Sequence, residues 1–383
     1  MKDVKISDYL WFQEGPGVRN TQYTTSGVKL INVANLVDGN IDLSTSDRYI
    51  SEEEAYGKYN HFLADDGDFV IASSGIKIDY FDKKMGFIKK EHLPLCMNTS
   101  CIRFKVLDTN NLEIKYFMYY LKSNSFKKQL FNQITGSAQL NFGPSHLKKM
   151  TFPLIELKEQ KRIIERLDKI QNIINETKSL LSKYDTLIKS RFIEMFGDNP
   201  VKSGKWNVET LGDVCSSIVR GPFGSALKKE FFVPKSDKTI KVYEQKHAIQ
   251  KSSTIGSYYI TQEKYEELKR FECKPGDFLM SCSGTMGEFY QLPDKCEKGI
   301  INQALCKFTL NNRIESLFFL EWMKQSIHNL ETKGSGIQNV AAVSFIKQMP
   351  VFLPPMQLQN NFAAFVQQID KSKFENNYKE LVA

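Results

Sequence analysis

Six short stretches of this 383-residue chain gather side chains that can donate and accept hydrogen bonds from a loop. In the N-terminal half, Arg19, Asn20 and Gln22 follow Glu14-Gly-Pro-Gly-Val. Ser73 and Ser74 close the run Gly67-Asp-Phe-Val-Ile-Ala-Ser-Ser-Gly75 with Lys77 two residues beyond it, and Gln139 and Asn141 follow Gly136-Ser-Ala. In the C-terminal half, Arg220 and Ser225 belong to Arg-Gly-Pro-Phe-Gly-Ser, with Lys228 and Lys229 just beyond. Ser283 and Thr285 flank Gly284, and Gln338 and Asn339 follow Gly334-Ser-Gly-Ile. Arg, Asn and Gln can grip a base edge with two hydrogen bonds, Ser and Thr with one, and any cation can hold a phosphate. Any one of these residues is equally at home on an ordinary wet surface, so the sets carry more weight than their members.

Other chemistries find little support. Gly221-Pro-Phe-Gly-Ser225 precedes two lysines without the Gly-x-x-x-x-Gly-Lys-Ser/Thr spacing that cradles a nucleotide phosphate, and Ser283-Gly-Thr-Met-Gly287 fails the same test. No Asn/Asp-Pro-Pro-aromatic tetrapeptide of an amino-methyltransferase occurs, and no glycine-rich cofactor loop opens a helix after a strand. The histidines at 61, 92, 146, 247 and 328 are scattered, and Glu244-Gln-Lys246 lacks the upstream Asp a nuclease motif needs. The seven cysteines form no Cys-x-x-Cys pair, so reduced, mostly buried thiols are expected and no metal site.

The elements that position the loops occur twice. Gly67–Gly75 matches Gly276-Asp-Phe-Leu-Met-Ser-Cys-Ser-Gly284, and Asn98-Thr-Ser-Cys-Ile-Arg-Phe104 matches Asn302-Gln-Ala-Leu-Cys-Lys-Phe308. Gly136-Ser-Ala-Gln139 is echoed by Gly334-Ser-Gly-Ile-Gln338. Leu147-Lys-Lys-Met150, ten residues before Gln160, parallels Ile346-Lys-Gln-Met349, ten before Gln359. The order is kept while the offset drifts from 209 to 199, as loops gaining and losing residues around a shared core would produce. Two copies of one α+β domain follow, at residues 1–155 and 198–355. Strands are expected at Val28–Val33, Phe69–Ala72, Cys101–Val106, Thr239–Tyr243 and Phe278–Ser281, and helical stretches at Leu112–Gln133 and Ile314–Leu330.

Between the copies, Ile163, Leu167, Ile170, Ile174, Thr177, Leu181, Tyr184 and Ile188 recur at alternating steps of four and three, with Ile173, Leu180 and Leu187 widening the stripe. Gly197 and Pro200 stop the pattern. The spacing predicts one helix from about Lys158 to Phe196 within a central segment 156–197, roughly 60 Å long at ~1.5 Å per residue. Its apolar seam needs a partner. Residues 356–383 offer one, because Leu358, Phe362, Phe365 and Ile369 step the same way, while Ser372 and Asn376 weaken the seam beyond, predicting a shorter or frayed helix. Equivalent helices leaving equivalent domains predict an antiparallel pair related by a pseudo-two-fold.

The formal net charge of +8 is thinly spread over both halves, which suits a phosphate-facing surface on each. The N-terminus is broken by charges every few residues, and no run reaches the ~18 apolar residues of a membrane span, so a cytoplasmic protein without membrane contact is expected.

Glu14-Gly-Pro-Gly-Val-Arg-Asn-Thr-Gln22, Val28-Lys-Leu-Ile-Asn-Val-Ala-Asn35, and Leu157-x-x-Gln160-Lys-Arg-Ile163 leading to Phe192-Ile-Glu-Met-Phe-Gly-Asp198 resemble the specificity subunit of type I restriction-modification systems, over essentially the whole chain. The resemblance implies two target-recognition domains with central and distal spacer helices, and a binding role without catalysis. It also implies two modification subunits that carry S-adenosylmethionine and methylate adenine, and restriction subunits that use ATP and Mg. Each domain would read one half of a bipartite double-stranded DNA target, and because the copies differ the halves should differ too. A free-standing nuclease or methyltransferase on a similar fold is the alternative.

Overall fold

A computed structural model describes residues 2–133, 140–327 and 343–382, with side chains through residue 373. The chain divides into two compact units, Met1–Ile174 and Asn175–Ala383, the division falling within one long helix.

In the first unit, a four-stranded antiparallel sheet runs in the order Leu10–Glu14, Cys101–Val106, Phe69–Ala72, Met85–Phe87. Phe69-Val-Ile-Ala is buried at every position because the strand is covered on both faces, which is why its sequence is continuously apolar and not alternating. A second small sheet pairs Val28–Ile31 in parallel with Leu95–Met97 and antiparallel with Tyr49–Ile50. Lys2–Lys5 pairs with Thr151–Leu154, and the chain leaves that strand directly into the long helix.

The second unit repeats the plan. Its sheet runs Cys215–Arg220, Leu305–Leu310, Phe278–Ser281, Phe289–Gln291, again antiparallel, and Thr239–Tyr243 lies parallel to Gly299–Ile301. Asn207–Thr210 pairs with Pro350–Leu353, which feeds the distal helix Met356–Val382. The same buried ion pair sits in both sheets. Asp68 meets Arg103 at 3.1 Å and Asp277 meets Lys307 at 3.1 Å, at the positions the internal repeat equates.

The strands at Phe69–Ala72, Cys101–Val106, Thr239–Tyr243 and Phe278–Ser281 form where their composition places them, and the one expected at Val28–Val33 ends at Ile31. The helical stretch Leu112–Gln133 is instead two helices, Ile114–Leu121 and Asn124–Gln133. Ser123 breaks it: its hydroxyl accepts the Phe126 N–H (3.2 Å), capping a new helix at its start. In the second unit the helix covers Ser316–Ser326.

The central helix is unbroken over Leu157–Phe196, 40 residues. Ile163 and Ile164 pack on the first unit's core. At the other end Ile188, Phe192 and Phe196 join the second unit's core together with Phe362, Phe365 and Ile369 of the distal helix. Phe192 meets Phe362 (ring centres 5.3 Å apart), Arg191 lies 5.8 Å from the Phe365 ring, and Asp185 accepts from Lys373 at 3.1 Å. As one number falls the other rises, so the two helices run antiparallel over this stretch. The seam is not covered throughout. Leu167, Leu181 and Tyr184 are half-buried, whereas Ile170 and Ile174 are 53% and 42% exposed. The distal helix is the shorter of the two, 27 residues against 40, and its backbone stays helical to Val382, past the point where the seam weakens.

Candidate nucleic-acid interface

Strand direction decides which loops meet. Leu10–Glu14 and Phe69–Ala72 flank Cys101–Val106 on its two sides and both run opposite to it, so both end at the same end of the sheet. There Gly15 N–H donates to Cys101 O (3.1 Å) and Ser73 N–H to Ser100 O (2.8 Å), so the two loops straddle the Asn98–Cys101 turn. Gly15 approaches that turn so closely that a Cβ would lie 2.3 Å from Asn98 O, which only glycine tolerates. Leu140–Asn141 adds itself as a short strand against Ser74–Ile76, and Phe142 N–H donates to Ser73 O at 3.0 Å. Three sequence-separated loops thus form one surface. Of the residues these loops carry, Arg19, Asn20, Lys77 and Asn141 are exposed and Ser74 half-buried. Burial pushes the Glu14 carboxyl above its usual range at the base of the same surface.

Two of these three loops recur in the described residues of the second unit, with different side chains. Gly221 N–H donates to Leu305 O (3.0 Å) and Cys282 N–H to Ala304 O (2.8 Å), and a Cβ on Gly221 would lie 1.9 Å from Asn302 O. Gly15 and Gly221 are therefore equivalent, which sets Arg220 where the first unit has Glu14, and Phe223 where it has Gly17. Ser225, Lys228, Lys229 and Thr285 are exposed, and Arg220 and Ser283 half-buried. Lys228 lies 3.5 Å from Glu230.

Two of the expected contacts are placed differently from the rest. Ser73, just past the strand end, is fully buried, its main chain held by the bonds to Ser100 and Phe142. Gln22 is held inward: its amide donates to Glu54 (2.6 Å) and Tyr59 (3.1 Å), and its oxygen accepts the Arg19 N–H (3.0 Å). It shapes the Arg19–Asn20 turn and does not project from it. Gln139, Gln338 and Asn339 lie outside the described residues.

Gln245, opening the short helix Gln245–Ile249, was not among the expected site residues. Its amide donates to Ser283 O and to Thr285 O (3.1 Å), fixing the loop that carries both. Nothing local in the sequence marks it, since its partners are 38 and 40 residues away. Among the described residues no group of three or more His, Cys, Asp or Glu side chains is placed to hold a metal, and no helix is long and apolar enough to cross a membrane.

Comparison with known proteins agrees with this arrangement. Over 175 residues, 45% of this chain, it is 28% identical to the type I restriction enzyme MjaVIII specificity subunit of Methanocaldococcus jannaschii, and the match spans 39% of that relative's length. The S subunit of the type I restriction-modification system from M. genitalium, known from a crystal structure, superimposes over 100% of this chain and 92% of its own with a TM-score of 0.51. At 14% identity that likeness concerns the fold alone. Residues 19–182 and 203–382 each match the model for the type I restriction modification DNA specificity domain, one match per unit of the internal repeat, and the chain belongs to that family.

Proposed function

We propose that this chain is the DNA-recognition subunit of a type I restriction-modification complex, each domain reading one half of a bipartite, non-palindromic target in double-stranded DNA. The observation that carries this is the pair of equivalent loop surfaces, built on the same backbone frame but furnished with different side chains. Equal frames suit two similar dockings in a groove, and unequal side chains suit two different half-sites. The family match favours recognition for a larger complex over a free-standing nuclease or methyltransferase.

In this reading the chemistry belongs to partners. Two modification subunits bring S-adenosylmethionine and methylate adenine, restriction subunits bring ATP-dependent, Mg-requiring cleavage, and the chain itself needs no cofactor. The purified chain alone should methylate nothing and bind no S-adenosylmethionine, yet confer sequence-specific adenine methylation when modification subunits are added. Methylation by the chain alone would overturn the proposal.

A further inference from the structure

The loop Arg220–Ser225 holds a large aromatic ring in the open. Phe223 is 62% exposed although the loop around it is firmly anchored. On one side Gly221 is pressed against the Asn302 carbonyl and hydrogen-bonded to Leu305. On the other, Leu227 is buried among Ile240, Val242, Ile260 and Ile300. Pro222 fixes a further backbone angle. Both flanks are held, and the ring between them lies in the open. The guanidinium of Arg220 lies 5.1 Å from the centre of its ring, placing a cation beside an apolar projection. Scattered exposed phenylalanines are common. This one lies in the loop that shares the Asn302–Leu305 turn with the Cys282 strand end, and Lys228 and Lys229 follow it five and six residues on.

We infer that Phe223 is a stacking wedge of the second domain, entering or capping a base step in the half-site that domain reads while Arg220 holds the adjoining phosphate or base edge. The inference rests on the DNA-reading proposal above. Apolar side chains partly unstack a duplex at flexible pyrimidine–purine steps, and an aromatic ring stacks on whatever base face it meets. In the first domain Gly17 stands at the equivalent position and Glu14 replaces Arg220, so this loop offers no ring to its half-site. The two halves of the target would then differ in mechanics as well as in sequence: one read on its edges, the other also by how easily it opens.

The test uses the full chain with its modification subunits and a duplex carrying the adenine-methylated motif that appears only in cells containing this chain. 2-Aminopurine is placed at successive positions across both halves, leaving out the methylated adenines and their immediate neighbours, which the modification subunits themselves unstack. We expect fluorescence to rise several-fold at one step in a single half. Phe223→Ala should abolish the rise and weaken duplex binding about tenfold, within the range for loss of one aromatic–base stack. Phe223→Trp should preserve both, and thermal unfolding of either variant should match the parent. If the parent binds the motif specifically but no step brightens, or the signal survives Phe223→Ala, the wedge is wrong while DNA reading stands. If the parent shows no salt-dependent affinity for the duplex, the underlying reading fails and the wedge with it.

Discussion

Gln160 and Gln359, 199 residues apart, make the same bonds in the two units. Each is buried in the first turn of a spacer helix, and each side-chain oxygen accepts a main-chain N–H, from Glu113 and Glu315 respectively, at 2.9 Å. Each amide donates back to the strand just left, at Ile155 O (2.8 Å) and Pro354 O (2.9 Å), and to the turn before the domain's helix, at Asn111 O (2.8 Å) and Arg313 O (3.5 Å). Each glutamine thereby pins a spacer helix to its own domain. Gln160→Leu would take the side-chain partner from three main-chain groups that are at most half-buried, for a cost of about 1–3 kcal/mol to the first unit. Hydrogen exchange at the Glu113 amide should speed up accordingly, with Glu315 unchanged; an unaltered Glu113 rate would show that the pin carries no stability.

The buried ion pairs should behave as units. Removing the charge of Asp277 strands Lys307, a residue only 7% exposed, and Asp277→Asn should cost about 3–5 kcal/mol. Asp277→Asn combined with Lys307→Met should recover part of that loss, because no uncompensated charge remains. Denaturant titration of the two variants measures the difference, and a double variant as unstable as the single one contradicts the argument.

Along the helix pair, burial sets the expectation. Phe362 is fully buried against Phe192, so Phe362→Ala should lose about 3–5 kcal/mol, whereas Ile174→Ala, at an exposed position, should change stability by less than about 0.5 kcal/mol. Equal losses by chemical denaturation would mean that the exposed middle of the seam is covered in solution.

Acid should loosen the central helix from the first domain. Burial alone would raise the Asp168 carboxyl, but hydrogen bonds from Lys115 (2.7 Å) and Tyr119 (2.7 Å) outweigh it and hold its pKa below the ordinary value. A carboxyl whose folded pKa is lowered stabilises the fold above its unfolded pKa, near 4, and loses that contribution as pH falls through the folded value. Asp168→Asn should therefore be less stable than the parent at pH 6, with the gap closing towards pH 3; a gap independent of pH would refute the assignment.

For DNA contacts, Lys228→Ala with Lys229→Ala should lower the slope of log affinity against log salt by roughly 2, as expected for two lost phosphate contacts. Thr285→Ala should alter only one half of the methylated motif, as should exchange of residues 1–155 for the domain of another family member, in the opposite half. Methylome sequencing reads both, and a change in both halves would count against separate reading.

The residues alone determined the repeat, the unbroken spacer helix and where the loops leave the strands, because each rests on a local pattern: a Gly-Asp turn before an apolar run, a seven-residue apolar spacing, glycines where the backbone must turn. Phe278–Ser281 is a strand in any context that can bury four such side chains on two faces. What tertiary structure decided is which members of each loop face outward. Ser73 and Ser74 are neighbours of one type, yet one is sealed by Ser100 and Phe142 and the other is not. Gln22 was withdrawn by Glu54 and Tyr59, residues 32 and 37 positions on, while Gln245 gained its role from carbonyls equally remote. Likewise the seam is periodic throughout, but only packing determines where it is covered. Local spacing fixes which atoms a segment can offer, and the choice among them is made by hydrogen bonds and burial between segments far apart in the chain.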